Sequence, residues 1–320
     1  MKKYILKRIL LALVTIFLIT TLTFFLMYAL PGAPFLGDRP LPDNVLEQLN
    51  RQYGLDKPIW QRYLLYLNNV FHGNFGVSTV YINRSVTSII MEAFPVSADL
   101  GIRALLFAIA GGTIFGTISA LQRNKLADRI IIIMVVIGVS VPSFIMGTFL
   151  QYLLGMKFSP WFMQTFHTDY RIFPIARWES FRYTIIPTLV LGLRSMTSIT
   201  RMLRTSLLDV ISQDYIKTAK AKGLPGRVIV VKHMLKNAIV PVYTMVGRMV
   251  GSILTGSFII ENIFSIPGIG KYFINSITAQ DYQMTMGLTL FYAIFVVLIN
   301  LLVDLGYSLI DPRISVAKEI

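Results

Sequence analysis

The sequence contains no cysteine, only three histidines and few charges, and each shortage removes a class of function. Without cysteine there is no disulfide, no thiolate metal site and no cysteine nucleophile. His72, His167 and His233 lie far apart and show no ligand spacing, which argues against a bound metal. No G-x-x-x-x-G-K-S/T loop is present, so the chain carries no phosphate cradle of that kind. No carboxylate pair, His cluster or nucleophile motif sits at a helix end, which speaks against a membrane enzyme. No internal repeat is visible either, whereas a secondary transporter usually shows two related halves with broken helices in corresponding places. Charged residues make up 14% of the 320, against about a quarter in an ordinary soluble domain.

What is present is apolar: 54% of residues are hydrophobic and the mean hydropathy is +0.63, which points to lipid. Crossing a hydrocarbon core of about 30 Å takes roughly 20 apolar residues in helix. Six stretches qualify, at 9-30, about 97-121, 130-155, about 184-204, about 237-260 and about 284-308. The first follows Lys2, Lys3, Lys7 and Arg8 like a secretory signal. Its 22 uncharged residues exceed a signal core, however, and no small-residue cleavage site closes it. It reads as a retained spanning helix.

The formal charge of +14 would suit nucleic acid, but in a membrane chain the question is on which side the Lys and Arg lie. With the N-terminus inside, segments 1-8, 122-129, 201-236 and 311-320 are roughly three times as dense in Lys and Arg as 31-95, 156-183 and 261-283. Both termini are therefore predicted cytoplasmic, and the basic balance needs no nucleic acid. The predicted organisation is a cytoplasmic tail and first helix over 1-30, an extracytoplasmic segment over 31-95, and a transmembrane domain over 96-320 with a cytoplasmic loop at about 205-236.

The segment 31-95 is too long for a plain connector, and its prolines at 31, 34, 40, 42 and 58 set turns between short helices. Trp60, Tyr63, Tyr66 and Phe71 fit either the headgroup level of the membrane or a partner-docking surface. Small residues recur every four positions at Ala108, Gly112, Gly116 and Ala120, and again at Gly247, Gly251 and Thr255. Such stripes let helix backbones approach closely, within the chain or across a subunit interface.

The cytoplasmic loop carries the most information. Residues 213-222 are good helix formers, and Gly223-Leu224-Pro225-Gly226 is a stop followed by a sharp turn. The loop reads as two short helices hinged at glycine. By charge alone it fits a basic segment lying on anionic lipid. Its residues say more: Asp214-Tyr215, then Lys217-Thr218-Ala219-Lys220-Ala221-Lys222-Gly223-Leu224, His233 and Asn237-Ala238-Ile239-Val240-Pro241. This pattern resembles the coupling motif of ATP-binding-cassette (ABC) importer permeases, in the variant typical of the dipeptide, oligopeptide and nickel permease family.

Further marks of that family stand in order along the chain. They are Pro31-Gly32-Ala33-Pro34, Tyr53-Gly54-Leu55-Asp56-Lys57-Pro58, Gly73-Asn74-Phe75-Gly76-Val77-Ser78 and Ser140-Val141-Pro142-Ser143-Phe144. Then come Arg201-Met202-Leu203-Arg204, Glu261-Asn262-Ile263-Phe264-Ser265-Ile266-Pro267-Gly268-Ile269-Gly270, Asp281-Tyr282, Asn300 with Asp304, and Asp311-Pro312-Arg313. Two departures stand out: Lys217-Thr218-Ala219 replaces the general Glu-Ala-Ala, a change the peptide subfamily shares, and Ala33 stands where the family commonly has an acidic residue.

The resemblance implies an all-α integral membrane protein with the type I ABC importer permease fold and six transmembrane helices, in a bacterial or archaeal cytoplasmic membrane. It implies a non-catalytic subunit, with ATP and Mg bound on two separate ATPase subunits and no cofactor on this chain. A homologous C-type permease would be its pore partner, this chain being the B-type member, and an extracytoplasmic binding protein would deliver the solute. Gln213, Asp214, Tyr215, Lys217, Thr218, Ala219, Lys220, Ala221, Lys222, Gly223 and Leu224 would couple to an ATPase. Peptides are the expected solute, with nickel or another polar solute as the alternative.

Four residues are candidates for the solute path. Arg194 and Arg248 lie 10 or 11 residues into their predicted spans, about 15 Å deep at 1.5 Å per residue. A charge at that depth costs about 2.5 to 3.5 kcal/mol on insertion, so it faces water or a partner. Two roles fit: contact with solute carboxylates, or a structural ion pair or carbonyl contact. Asn300 and Asp304, one turn apart near the inner end of the last span, fit a gate or a packing role equally. Arg103 is expected to pair with Asp99 one turn away.

Overall fold

In the computed structural model, residues 2-29, 54, 56-81, 84-254 and 258-310 are described, those of 2-5 and 304-310 by their backbone alone. The described residues form helices joined by short turns, with one isolated β-bridge between Val77 and Ser85. The family marks at 31-34, at Tyr53 and Leu55, and at 311-313, together with Thr255 and the side chain of Asp304, fall outside the described parts.

The chain divides into two compact units, residues 1-97 with 267-302, and residues 98-266 with 303-320. The first contains α1 (Lys2–Ala29), α2 (Ile59–Phe71), the opening turns of α3 (Val86–Leu121), α13 (Ile269–Thr278) and most of α14 (Tyr282–Ile310). The second contains the rest of α3, then α4 (Leu126–Ser140), α5 (Ser143–Leu150), α6 (Ser159–Thr165), α7 (Phe181–Ile211), α8 (Asp214–Ala221), α9 (Gly226–Val228), α10 (Lys236–Ala238), α11 (Val240–Leu254) and α12 (Phe258–Ile263). A π-helical stretch, Gln151–Phe158, joins α5 to α6, and another, Ile229–Leu235, joins α9 to α10.

Among the described residues, three helices are long and apolar enough to cross a membrane: Leu6–Ala29, Val86–Leu121 and Tyr282–Val303. Two bent pairs pass the same test together, Leu126–Ser140 with Ser143–Thr165, bent by 109°, and Gly226–Ala238 with Val240–Leu254, bent by 55°. The stretch predicted at 130-155 is therefore not one straight helix. Pro142 breaks it, because its ring forbids the helical conformation of Val141, which is extended at φ −83° and ψ 123°. The stretch predicted at 184-204 is the 31-residue α7, which is not among the helices apolar enough to span by composition.

In the first unit, Val86, Ile89, Ile90 and Ala93 are buried against Ile269, Met284 and Leu288. That packing carries α3 through Pro95 and explains why the helix begins at Val86, before the predicted start near residue 97. The same unit is closed by one carboxylate. Asp281, fully buried, accepts hydrogen bonds from the Ser78 hydroxyl and from the amides of Thr79 (3.1 Å) and Met284 (3.1 Å). The last of these caps the first turn of α14. Two marks 203 residues apart in sequence thus meet in space.

In the second unit α7 is the centre, packed by α4, α5, α11 and α12. The small-residue stripe of α3 lies directly on it. A Cβ at Gly112 would stand 2.5 Å from Ile199 Cγ2, and one at Gly116 would stand 2.9 Å from the Thr200 carbonyl. From the other side, a Cβ at Gly192 would meet the Ala104 carbonyl at 2.7 Å. Of the two readings of this stripe, packing within the chain accounts for it.

Candidate coupling site

The loop after α7 folds as a short helix clipped onto the end of that helix. Gln213, in extended conformation, starts α8, Asp214 occupies its first turn and Lys220 its last, the order that suits the helix dipole. Asp214 and Lys217, three residues apart, pair at 2.8 Å on the exposed side. Ile216 and Ala219, also three apart, turn inward and are buried at 0% and 5% exposure. They join an apolar cluster with Leu203 and Leu207 of α7, Ile229 and Met234 of the second π-helical stretch, and Ala238 of α10.

The C-terminal end of α8 is a Schellman motif. Gly223 has φ +72°, its amide donates to the Lys220 carbonyl (2.9 Å), and the Leu224 amide reaches back to the Ala219 carbonyl (3.4 Å). Leu224 then packs against the cluster that holds Ala219, the apolar contact that accompanies this motif. Nothing lies within 4 Å of where a Cβ of Gly223 would be, so the demand for glycine there is conformational and not steric.

The remaining face points to solvent. Asp214, Tyr215, Lys217, Thr218, Lys220, Ala221 and Lys222 are all exposed, a surface with three ammonium groups and one carboxylate. Tyr215 is also held from the side, because the Asn237 side-chain amide donates to its hydroxyl at 3.1 Å and to the His233 carbonyl at 3.0 Å. The two halves of the loop motif, 22 residues apart, are thus one structure. Gln213 and Leu224 flank the helix and are not part of it.

A second polar cluster lies one step further along α7, and the sequence reading missed it. Arg204 grips Asp128 of α4 with two parallel hydrogen bonds of 2.9 Å each. The Asp128 carboxylate also accepts from the Ser119 hydroxyl (2.5 Å) and the Asn124 amide (2.9 Å), and its side chain is 2% exposed. A fork-to-carboxylate pair of this kind fixes orientation as well as distance. The sequence signals were Arg204, within the Arg201-Met202-Leu203-Arg204 mark, and Asp128, an acidic residue in a basic turn, with nothing to join the two.

Three of the four solute-path candidates have described side chains. Arg194 on α7 and Arg248 on α11 are exposed on the surface of this single chain, and neither has an ion-pair or hydrogen-bond partner for its guanidinium among the described residues. Asn300 is exposed on α14. Arg103 pairs with Asp99 at 2.9 Å as expected.

Comparison with known proteins agrees along the whole length. Residues 112–316 match the family described as "Binding-protein-dependent transport system inner membrane component", and residues 1–101 match its N-terminal companion. The dipeptide transport system permease protein DppB of Lactococcus lactis is 43% identical over 98% of this chain and 99% of its own. That of Bacillus subtilis is 42% identical over the full length of both. The oligopeptide permease OppB of Haemophilus influenzae is 37% identical over 98% and 99%. Among solved structures, a chain of the methionine ABC transporter MetNI in an inward-facing conformation superposes with a TM-score of 0.50 at 16% identity, over 68% of this chain and 94% of that one. This likeness is one of fold, that of type I ABC importer permeases. The chain belongs to the binding-protein-dependent transport system inner membrane component family.

Proposed function

We propose that the protein is the membrane-spanning permease subunit of an ABC importer for peptides, moved by ATPase subunits that dock on α8. The observation that carries the docking part is the construction of α8: a two-turn helix whose inner face is sunk in the α7 cluster while its other residues face solvent. A helix free to fray would absorb a push, whereas one locked by a Schellman motif and by buried Ile216 and Ala219 transmits it. The path is continuous: displacement of α8 moves Leu203 and Leu207 of α7, and Arg204 carries α4 with it through Asp128. The helices then shift as bodies, since packed elements have discrete arrangements and do not deform continuously.

No bond is made or broken in this subunit. ATP and Mg belong to two partner ATPases, the pore is shared with a homologous C-type permease, and an extracytoplasmic binding protein brings the solute. Peptide as the solute rests on the dipeptide and oligopeptide names of the relatives. The exposed Arg194 and Arg248 are assigned to the side of the chain that meets the pore or the second permease. Deleting the gene should abolish uptake of labelled di- and oligopeptides and leave nickel uptake intact, with recovery when the chain is supplied. Unchanged peptide uptake overturns the assignment.

A further inference from the structure

We propose that α2 is embedded in the lipid leaflet on the Ala29 side of the membrane, with its Trp60, Leu64 and Phe71 face in contact with acyl chains. This helix lies between the first membrane span and α3, in a segment that sequence alone gives equally to the membrane surface and to a protein partner. The structure separates its aromatics into two groups. Tyr63 and Tyr66 face inward: the Tyr63 hydroxyl is 2.6 Å from the Thr21 hydroxyl, and the Tyr66 ring stacks on Phe24 at 5.5 Å. Trp60, Leu64 and Phe71 face outward, at 59%, 55% and 82% exposure. With Leu67 they recur at steps of four, three and four, which is one continuous stripe along a helix.

Depth decides what covers the stripe. The contacts of α2 on α1 are with Thr21, Phe24, Phe25 and Tyr28, inside the span Leu6–Ala29. Thr21 is eight residues before Ala29, about 12 Å back along the helix. A helix held at that level lies beside hydrocarbon and headgroups, not in bulk water. On the span it packs against, Leu18, Leu22 and Leu26 are likewise exposed, at 51%, 60% and 64%. The remaining sector of α2 holds Gln61, Arg62, Asn68 and Asn69 with one half-exposed leucine, Leu65, so the helix has a protein side, an apolar side and a mainly polar side. An amphipathic helix with Trp, Phe and Leu on one face and polar residues on another is the kind that lies in the interface plane.

The absence of cysteine makes the test direct, since any introduced thiol is unique in the chain. Trp60→Cys, Leu64→Cys, Phe71→Cys and, for comparison, Gln61→Cys and Asn68→Cys would be spin-labelled in the full chain, reconstituted in phospholipid vesicles with any co-purified subunits blocked at their thiols. Power saturation then reads collision with oxygen, which concentrates in acyl chains, and with a water-soluble nickel chelate. At 60, 64 and 71 oxygen should exceed the chelate severalfold, with the ratio reversed at 61 and 68. Dominance of the chelate at 60, 64 and 71 overturns the proposal in favour of water. Low collision with both agents overturns it in favour of a covering protein. A second reading needs no thiol: with Trp161→Phe and Trp178→Phe, vesicles of dibrominated lipid should quench emission that is lost on further Trp60→Phe. No quenching of that component also overturns it.

Discussion

At the scale of single residues, Gly223 and the Asp128–Arg204 pair support the sharpest expectations. A side chain at the positive φ of Gly223 costs about 1–2 kcal/mol, more for a β-branched one. Because that strain lies in an exposed loop, Gly223→Val should leave the protein in the membrane at normal level and weaken ATPase binding or its stimulation by loaded binding protein. Pull-down of the ATPases and stimulated hydrolysis read this directly, and wild-type stimulation would remove α8 from the coupling path. For the pair, losing one partner of a buried bridge costs about 3–5 kcal/mol, and the partial exposure of Arg204 puts the loss at the lower end. Asp128→Leu alone should lower the melting temperature in detergent, and Asp128→Leu with Arg204→Met should recover most of it. A double variant no better than the single would mean that the bridge is not what holds α4 to α7. Gly223 was legible in the sequence because a glycine after a helical run has a local meaning. Asp128 was not, since its partner stands 76 residues away on a helix that only folding brings near.

At the scale of elements, close packing between α3 and α7 is the feature to test. A Cβ at Gly192 meets the Ala104 backbone oxygen at 2.7 Å, and backbone cannot step aside as a side-chain tip would. Overpacking of this kind costs about 1–3 kcal/mol, so Gly192→Leu should reduce the folded fraction recovered from membranes, as gel filtration would show. Recovery equal to wild type would mean that α3 and α7 can separate at that point without cost. Periodicity showed the α3 stripe readily, because every fourth residue is small. It could not name α7 as the surface the stripe meets, since α7 carries Arg182, Arg194, Arg201 and Arg204 and its burial comes from neighbours and not from hydropathy. The bend at Pro142 was likewise readable as a proline and unreadable as an angle of 109°.

At the scale of the whole molecule, topology is the first measurement. Reporter fusions after residues 125 and 220 should read cytoplasmic and those after 170 and 275 outside, and the opposite pattern would invert the proposed orientation of α8. Another consequence follows from Asp281. Its bonds to Ser78 and Thr79 join an early segment to a residue made about 200 positions later, 203 for Ser78. At about 5–20 residues per second, a ribosome needs about 10–40 s to cover that distance. Throughout that interval Ser78 and the opening turns of α3 are without Asp281 and without Ile269, Met284 and Leu288, which complete their packing. The segment from Ser78 to Ala93 is therefore made early and completed late, and for that interval the nascent chain is open there to proteases and insertion chaperones.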